Sequence, residues 1–121
     1  MANTFKVATF AAEPASAGTP YVMYTIAGST TGVVLGLILT NIHSSAVTAE
    51  VELVSTTSNR NGANNVANGT SFLVKDVTIP AGSSLELLSG GKVVLEAGDV
   101  IRVDCSVADK LSGTLSLMEI T

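Results

Sequence analysis

Residues 32–42, GVVLGLILTNI, make an uncharged run rich in Val, Leu and Ile, entered through GSTTG at 28–32 and left through NIHSS at 41–45. Both flanks have the composition of turns. A membrane-crossing helix needs about 20 apolar residues, so the run reads as a buried core segment. Periodicity does not separate helix from strand in so short a run, but the turns at both ends and the branched residues favour a strand. The next stretch, 46–54, alternates. Val47, Val51 and Leu53 share one side, and Thr48, Glu50 and Glu52 share the other. That is the pattern of a strand with one wet face. Together the two stretches predict a central strand, apolar on both faces, followed by a hairpin into a half-buried strand.

The remaining segments keep the same rhythm. Phe5, Val7 and Thr9 alternate with Lys6, Ala8 and Phe10, and an Ala/Ser/Gly/Pro stretch follows. Residues 1–20 are therefore expected to be an N-terminal arm and linker, strand-like over 5–10, ahead of a sandwich domain at 21–121. The arm either docks on a neighbouring subunit or packs on its own domain. Residues 21–26, YVMYTI, are aromatic and β-branched, as strands are. Residues 71–79 read as a strand whose apolar parity changes between Phe72/Val74 and Val77/Ile79, which predicts a bulge near Lys75 and Asp76. Short apolar runs at 85–88 and 93–95, an alternating run at 100–107 and a last run at 115–120 are divided by turns at 80–83, 89–92 and 96–99. Turn signals thus recur about every 8–12 residues, and no stretch carries a helical period with caps. The expected fold is all-β, a single β-sandwich of jelly-roll or immunoglobulin-like kind with seven to nine short antiparallel strands.

Residues 55–70, STTSNRNGANNVANGT, are the longest polar stretch. Loops beyond about 12–15 residues are usually functional or disordered, and the Asn61-Gly62 pair also suits the turn of a protruding hairpin. This loop and the arm supply the candidate partner contacts: Asn3, Phe5 and Phe10 in the arm, and Asn59, Arg60, Asn61, Asn64, Asn65 and Asn68 in the loop.

Charge restricts the partners. Only 13% of the 121 residues are charged, against about 25% in typical soluble domains, and the mean hydropathy is positive at +0.48. A monomer so sparsely charged has a poorly protected surface, so coverage by other protein chains is the economical reading; a surface made soluble by Ser, Thr and Asn is the alternative. The net charge of −4 and six scattered basic residues argue against phosphate-driven nucleic-acid binding. One cysteine rules out an internal disulfide. No basic segment precedes an apolar one at the start, so synthesis in a cytoplasm is expected.

The inventory for catalysis is thin. His43 is the one histidine and Cys105 the one cysteine, so no His/Cys metal cluster is expected. His43 stands beside Ser44 and Ser45, but neighbours on a turn seldom form a nucleophile–base pair, and an exposed histidine is the default. Cys105 falls on the apolar face of an alternating strand, where a buried inert thiol is the rule. Glu50 and Glu52 share a strand face about 7 Å apart, a spacing that glycosidase carboxylates also use. With no Trp and five Phe and Tyr residues, a sugar platform is not evident, and a solvated face or subunit contact is favoured. Asp99, Asp104 and Asp109 lack the order of a calcium loop. No enzyme activity and no cofactor are expected.

The order of several turn-plus-strand motifs adds a resemblance. Met1-Ala2-Asn3-Thr4-Phe5-Lys6, Tyr24-Thr25-Ile26-Ala27-Gly28, Ile79-Pro80-Ala81-Gly82-Ser83-Ser84-Leu85, Gly90-Gly91-Lys92-Val93-Val94-Leu95, Gly98-Asp99-Val100-Ile101-Arg102-Val103 and Met118-Glu119-Ile120-Thr121 follow one another across nearly the whole chain. In that order they resemble a family of small virion structural proteins of tailed bacteriophages, cyanobacterial phages included. The sequence departs at Ala27, where the pattern has proline, and in its Asn-rich segment. The resemblance implies a non-enzymatic virion component made in the host cytoplasm. A capsid-decorating (cement) protein is the first expectation, and a neck, tail or fibre-attachment subunit the second. A receptor- or carbohydrate-binding module is the alternative of another class. The implied partners are further copies of the chain, as a closed oligomer such as a trimer, and the major capsid protein or tail proteins, with no nucleic acid and no membrane.

Overall fold

In the computed structural model, residues 2–55, 69–88 and 91–121 are described. They form nine strands: β1 (Asn3–Glu13), β2 (Tyr21–Thr25), β3 (Thr31–Asn41), β4 (Val47–Val54), β5 (Thr70–Ile79), β6 (Ser84–Leu87), β7 (Val93–Leu95), β8 (Val100–Cys105) and β9 (Leu111–Ile120). Two sheets pack face to face. The first has the order β1-β9-β3-β6, with β7 also paired to β3, and the second has β2-β8-β4-β5. All pairings are antiparallel.

The wiring chooses between the two expected sandwiches. β6 and β7 lie along one edge of β3, on residues 37–40 and 32–34 respectively, so they fill one strand position between them. Among neighbours in sequence, only β4 and β5 pair side by side; the other links cross between sheets or run along that shared edge. Such winding of two four-position sheets is a jelly roll. An immunoglobulin sandwich would hold several hairpins of consecutive strands within a sheet.

The core lies between the inner faces. Val34, Leu37, Leu39, Leu115 and Leu117 of the first sheet meet Val51, Ile101 and Val103 of the second, all 1% exposed or less. The alternation read in 100–107 is observed: Ile101, Val103 and Cys105 are buried, and Arg102 and Asp104 face outward. The bulge expected near Lys75 and Asp76 is also present. Ala49 pairs with Val77 and Val51 with Val74, so two residues of β5 oppose one of β4, and Asp76 takes φ 52°. The turns at 80–83 and 96–99 share a device. Ser83 N–H donates to Pro80 O and Asp99 N–H to Glu96 O, with Gly82 at φ 72° and Gly98 at φ 88° in the third position. A positive φ there is the requirement of a type II turn.

Two expectations are corrected. β3 is central and apolar on both faces, but it is not joined to β4 by a hairpin: the two strands belong to different sheets. Both edges of β3 are already occupied, by β9 on one side and by β6 and β7 on the other. The chain therefore crosses the sandwich at 42–46, where Asn41, fully buried, donates through Nδ2 to Ser45 O and Ile79 O at 2.9 Å each. It also accepts the His43 N–H at 2.7 Å. Residues 3–13, expected as a separate arm, are an integral edge strand paired along β9, so no boundary of the fold falls at residue 20.

Candidate interaction surface

Cross-strand partners share a face of a sheet, so register assigns every side chain of the first sheet. Leu117, Leu115 and Gly113 point into the core, with Lys6, Ala8 and Phe10 opposite them. Met118, Ser116 and Thr114 point out, opposite Phe5, Val7 and Thr9. The outer row continues across the sheet: Met118 pairs with Val33 and Val33 with Val94. Phe5, Met118, Val33 and Val94 thus form one apolar row over four strands. A second row runs from Val7 through Ser116 to Gly36, and a third from Thr9 through Thr114 and Ile38 to Glu86.

This outer face is apolar and nearly uncharged. Among the described residues eight large hydrophobics are exposed, and five of them lie here: Phe5 (74%), Val7, Leu35, Ile38 and Val94. Glu86, on edge strand β6, is the one charged strand residue that the register places on the face. A bulge at Leu35 and Gly36 interrupts β3, just where β6 has ended and β7 has not begun. The gap opens a pocket of about 340 Å³, lined by Leu35, Ile38 and Leu88 with Thr114, Ser116 and Glu86 on its polar side.

The outer face of the second sheet is built oppositely. Glu50 and Glu52 of β4 stand beside Asp104 and Arg102 of β8. Arg102 forms an ion pair with Glu52, and Lys75 Nζ lies 3.1 Å from Glu50 Oε1 and 4.6 Å from the Phe72 ring centre. Glu50 raises the Lys75 pKa, mainly through their hydrogen bond. The two carboxylates singled out by their spacing therefore each hold a cation.

A polar clip closes the side where β1 and β2 meet. Glu119, buried, accepts the Tyr24 hydroxyl at 2.7 Å and the Lys6 ammonium at 2.7 Å. These two hydrogen bonds, Lys6 first, hold the Glu119 carboxyl below the ordinary carboxylate value. The same carboxylate raises Lys6. Burial and then the Glu119 bond raise Tyr24.

Of the residues expected to meet a partner, Phe5 is fully presented and Asn3 is exposed on the same strand. Phe10 is corrected: it is 8% exposed and its ring meets Tyr21 edge-on at 5.1 Å. The ring also occupies the space a side chain at Gly113 would need, so Phe10 serves its own core. Asn59, Arg60, Asn61, Asn64, Asn65 and Asn68 lie outside the described residues. Val7, Leu35, Ile38 and Val94 were missed as site residues. For Leu35 and Ile38 the signal was the two-sided apolarity of residues 32–42, which reads equally well as a strand buried on both faces; Val7 and Val94, in β1 and β7, carried no such signal.

The other chemical candidates have local duties. Asp99 Oδ2 accepts Glu96 N–H at 3.0 Å, Asp104 Oδ1 accepts the N–H groups of Cys105 and Gly18, and Asp109 takes φ 59° in a turn. Cys105 is a buried free thiol, and His43 is half-buried in the crossing turn. Among the described residues no three His, Cys, Asp or Glu side chains gather as a metal-holding group, and no helix is long and apolar enough to cross a membrane. No family model, curated protein or solved structure matches the chain.

Proposed function

We propose that the chain is a non-enzymatic structural subunit of a tailed-phage particle, a capsid-decorating protein that binds the shell in many copies. The observation that carries this reading is the asymmetry of the sandwich: an apolar face with one charged residue, Glu86, on one sheet, and an ion-paired face on the other. An apolar sheet face of this extent marks an interaction surface. It also accounts for the sparse charge, because a covered face needs none. The motif order that resembles small virion proteins supplies the setting. The mechanism is adhesive: each copy makes modest apolar contacts, and repetition over a shell makes them collectively strong.

Mixing the purified chain with empty phage shells and with purified tails, then counting bound copies by sedimentation and gel densitometry, tests the reading. Saturable binding to shells in numbers comparable to the capsid subunits is expected. Binding to tails alone, at a few copies, would move the protein to the neck or tail. Binding to neither would contradict the virion reading.

A further inference from the structure

We infer that the outer face of the β1-β9-β3-β6/β7 sheet pairs with the same face of a second copy, each copy seating Val7 over the other's pocket at Leu35, Ile38 and Leu88 and Phe5 over the other's Val94. The inference deepens the assembly reading above by naming the occupant of the face.

Knob and hole lie on one face but at opposite edges of it. β1, at one edge, carries Phe5 and Val7, both largely exposed. The pocket opens at the other edge, in the gap between Leu87 at the end of β6 and Val93 at the start of β7. The two also share a level along the strands. Val7 lies in the row of Ser116 and Gly36, which line the pocket, and Phe5 lies two residues, about 7 Å, further along. A two-fold axis in the plane between the sheets and along the strands carries β1 of each copy onto the β6/β7 edge of the other, and β9 onto β3. The knobs then meet the holes twice, as an isologous contact requires. Sheets packed in this way keep their strands within about 30° of one another. A three-fold ring would need knob and hole on different faces, so this geometry gives a dimer.

Charge favours this face over the other for pairing like with like. Pairing through the other sheet would set Asp104 and the Glu50–Lys75 and Glu52–Arg102 pairs against their duplicates. The apolar face opposes no like charges except at its rim, where Glu86 stays in water. Four strands at about 4.8 Å and six steps of about 3.3 Å give a flat footprint of roughly 19 by 20 Å. That is below the ~800 Å² per partner of a standard interface. The pair is therefore reversible and depends on concentration.

Sedimentation equilibrium over a wide concentration range tests this, with shell co-sedimentation of the same samples. The wild type should move from the 12.3 kDa monomer mass toward twice that value. Phe5→Asp and Ile38→Asp, both at exposed positions, should each weaken dimerisation at least tenfold, with melting temperatures in dilute solution unchanged. Val22→Asp, an exposed site on the other sheet, should dimerise as the wild type does. A wild type that stays monomeric, forms trimers, or dimerises equally well with Phe5→Asp and Ile38→Asp overturns the inference. A monomer that coats shells until Phe5→Asp is introduced would give the face to the shell protein, overturning self-pairing while keeping the virion reading. Dimers that bind neither shells nor tails would keep the pairing and overturn the virion reading.

Discussion

Glu119 shows how one side chain holds the two sheets together at their edge. It sits on β9, yet its partners are Lys6 on β1 and Tyr24 on β2 of the opposite sheet. Its lowered pKa fixes the sign of a pH effect. The unfolded chain takes up the proton first, so the stabilisation is complete above the ordinary value of 4.5 and is lost as pH falls from there through the folded value. Lys6 and Tyr24 are raised, so their share is present below their unfolded values and lost as pH rises through the folded ones. Thermal melts across pH should show the wild type losing more stability than Glu119→Gln below pH 4.5. Parallel curves for the two proteins would contradict the assignment. Asn41 is the comparable residue at the crossing turn. Truncating it would leave the Ile79 carbonyl buried and unpaired, at about 1–3 kcal/mol, while the part-buried Ser45 and His43 groups can turn to water.

At the scale of elements, the β5 bulge joins sequence to geometry most directly. Between Val74, opposite Val51, and Val77, opposite Ala49, the strand holds one extra residue, and Asp76 sits there at φ 52°; a second shift between Val74 and Phe72, which the sequence pattern did not show, turns Phe72 outward beside Glu52. Asp tolerates that region and β-branched residues do not. Asp76→Val should therefore lose about 1–3 kcal/mol by denaturant unfolding, whereas Asp76→Gly should stay near the wild type; equal losses would argue against strain at this position. The strands and this bulge were legible because alternation over 47–54 and 100–107 reports which residues face the core. The partner of each strand was not. Alternation carries no information about which sheet a strand joins, so the β3–β4 hairpin reads plausibly until β9, β6 and β7 are seen to fill both edges of β3. Phe10 illustrates the same limit at the candidate site. Alternation along β1 sets Phe10, on the side of Lys6 and Ala8, opposite to Phe5, but it does not say which of the two sides faces the core. Only the glycine opposite Phe10, Gly113, makes room for one ring and not the other.

The whole molecule is a jelly roll with two unlike outer surfaces. One sheet carries ion pairs over Glu50, Glu52, Lys75 and Arg102. The other carries Phe5, Val7, Leu35, Ile38 and Val94 with almost no charge. Burying Ile38 and Phe5 contributes about 1.5–3 kcal/mol per fully covered side chain, a modest amount for one copy and a large one when repeated over a lattice. The central claim is that the apolar sheet is the assembly surface. Its most direct test is quantitative binding of wild type, Ile38→Asp and Val22→Asp to empty phage shells at matched concentrations, with each variant's melting temperature measured alongside. Wild type and Val22→Asp are predicted to saturate the shells alike, and Ile38→Asp, reduced to single copies without the avidity of a pair, to lose at least tenfold in apparent affinity while keeping its melting temperature. Undiminished binding by Ile38→Asp, or a loss confined to Val22→Asp, would contradict the claim.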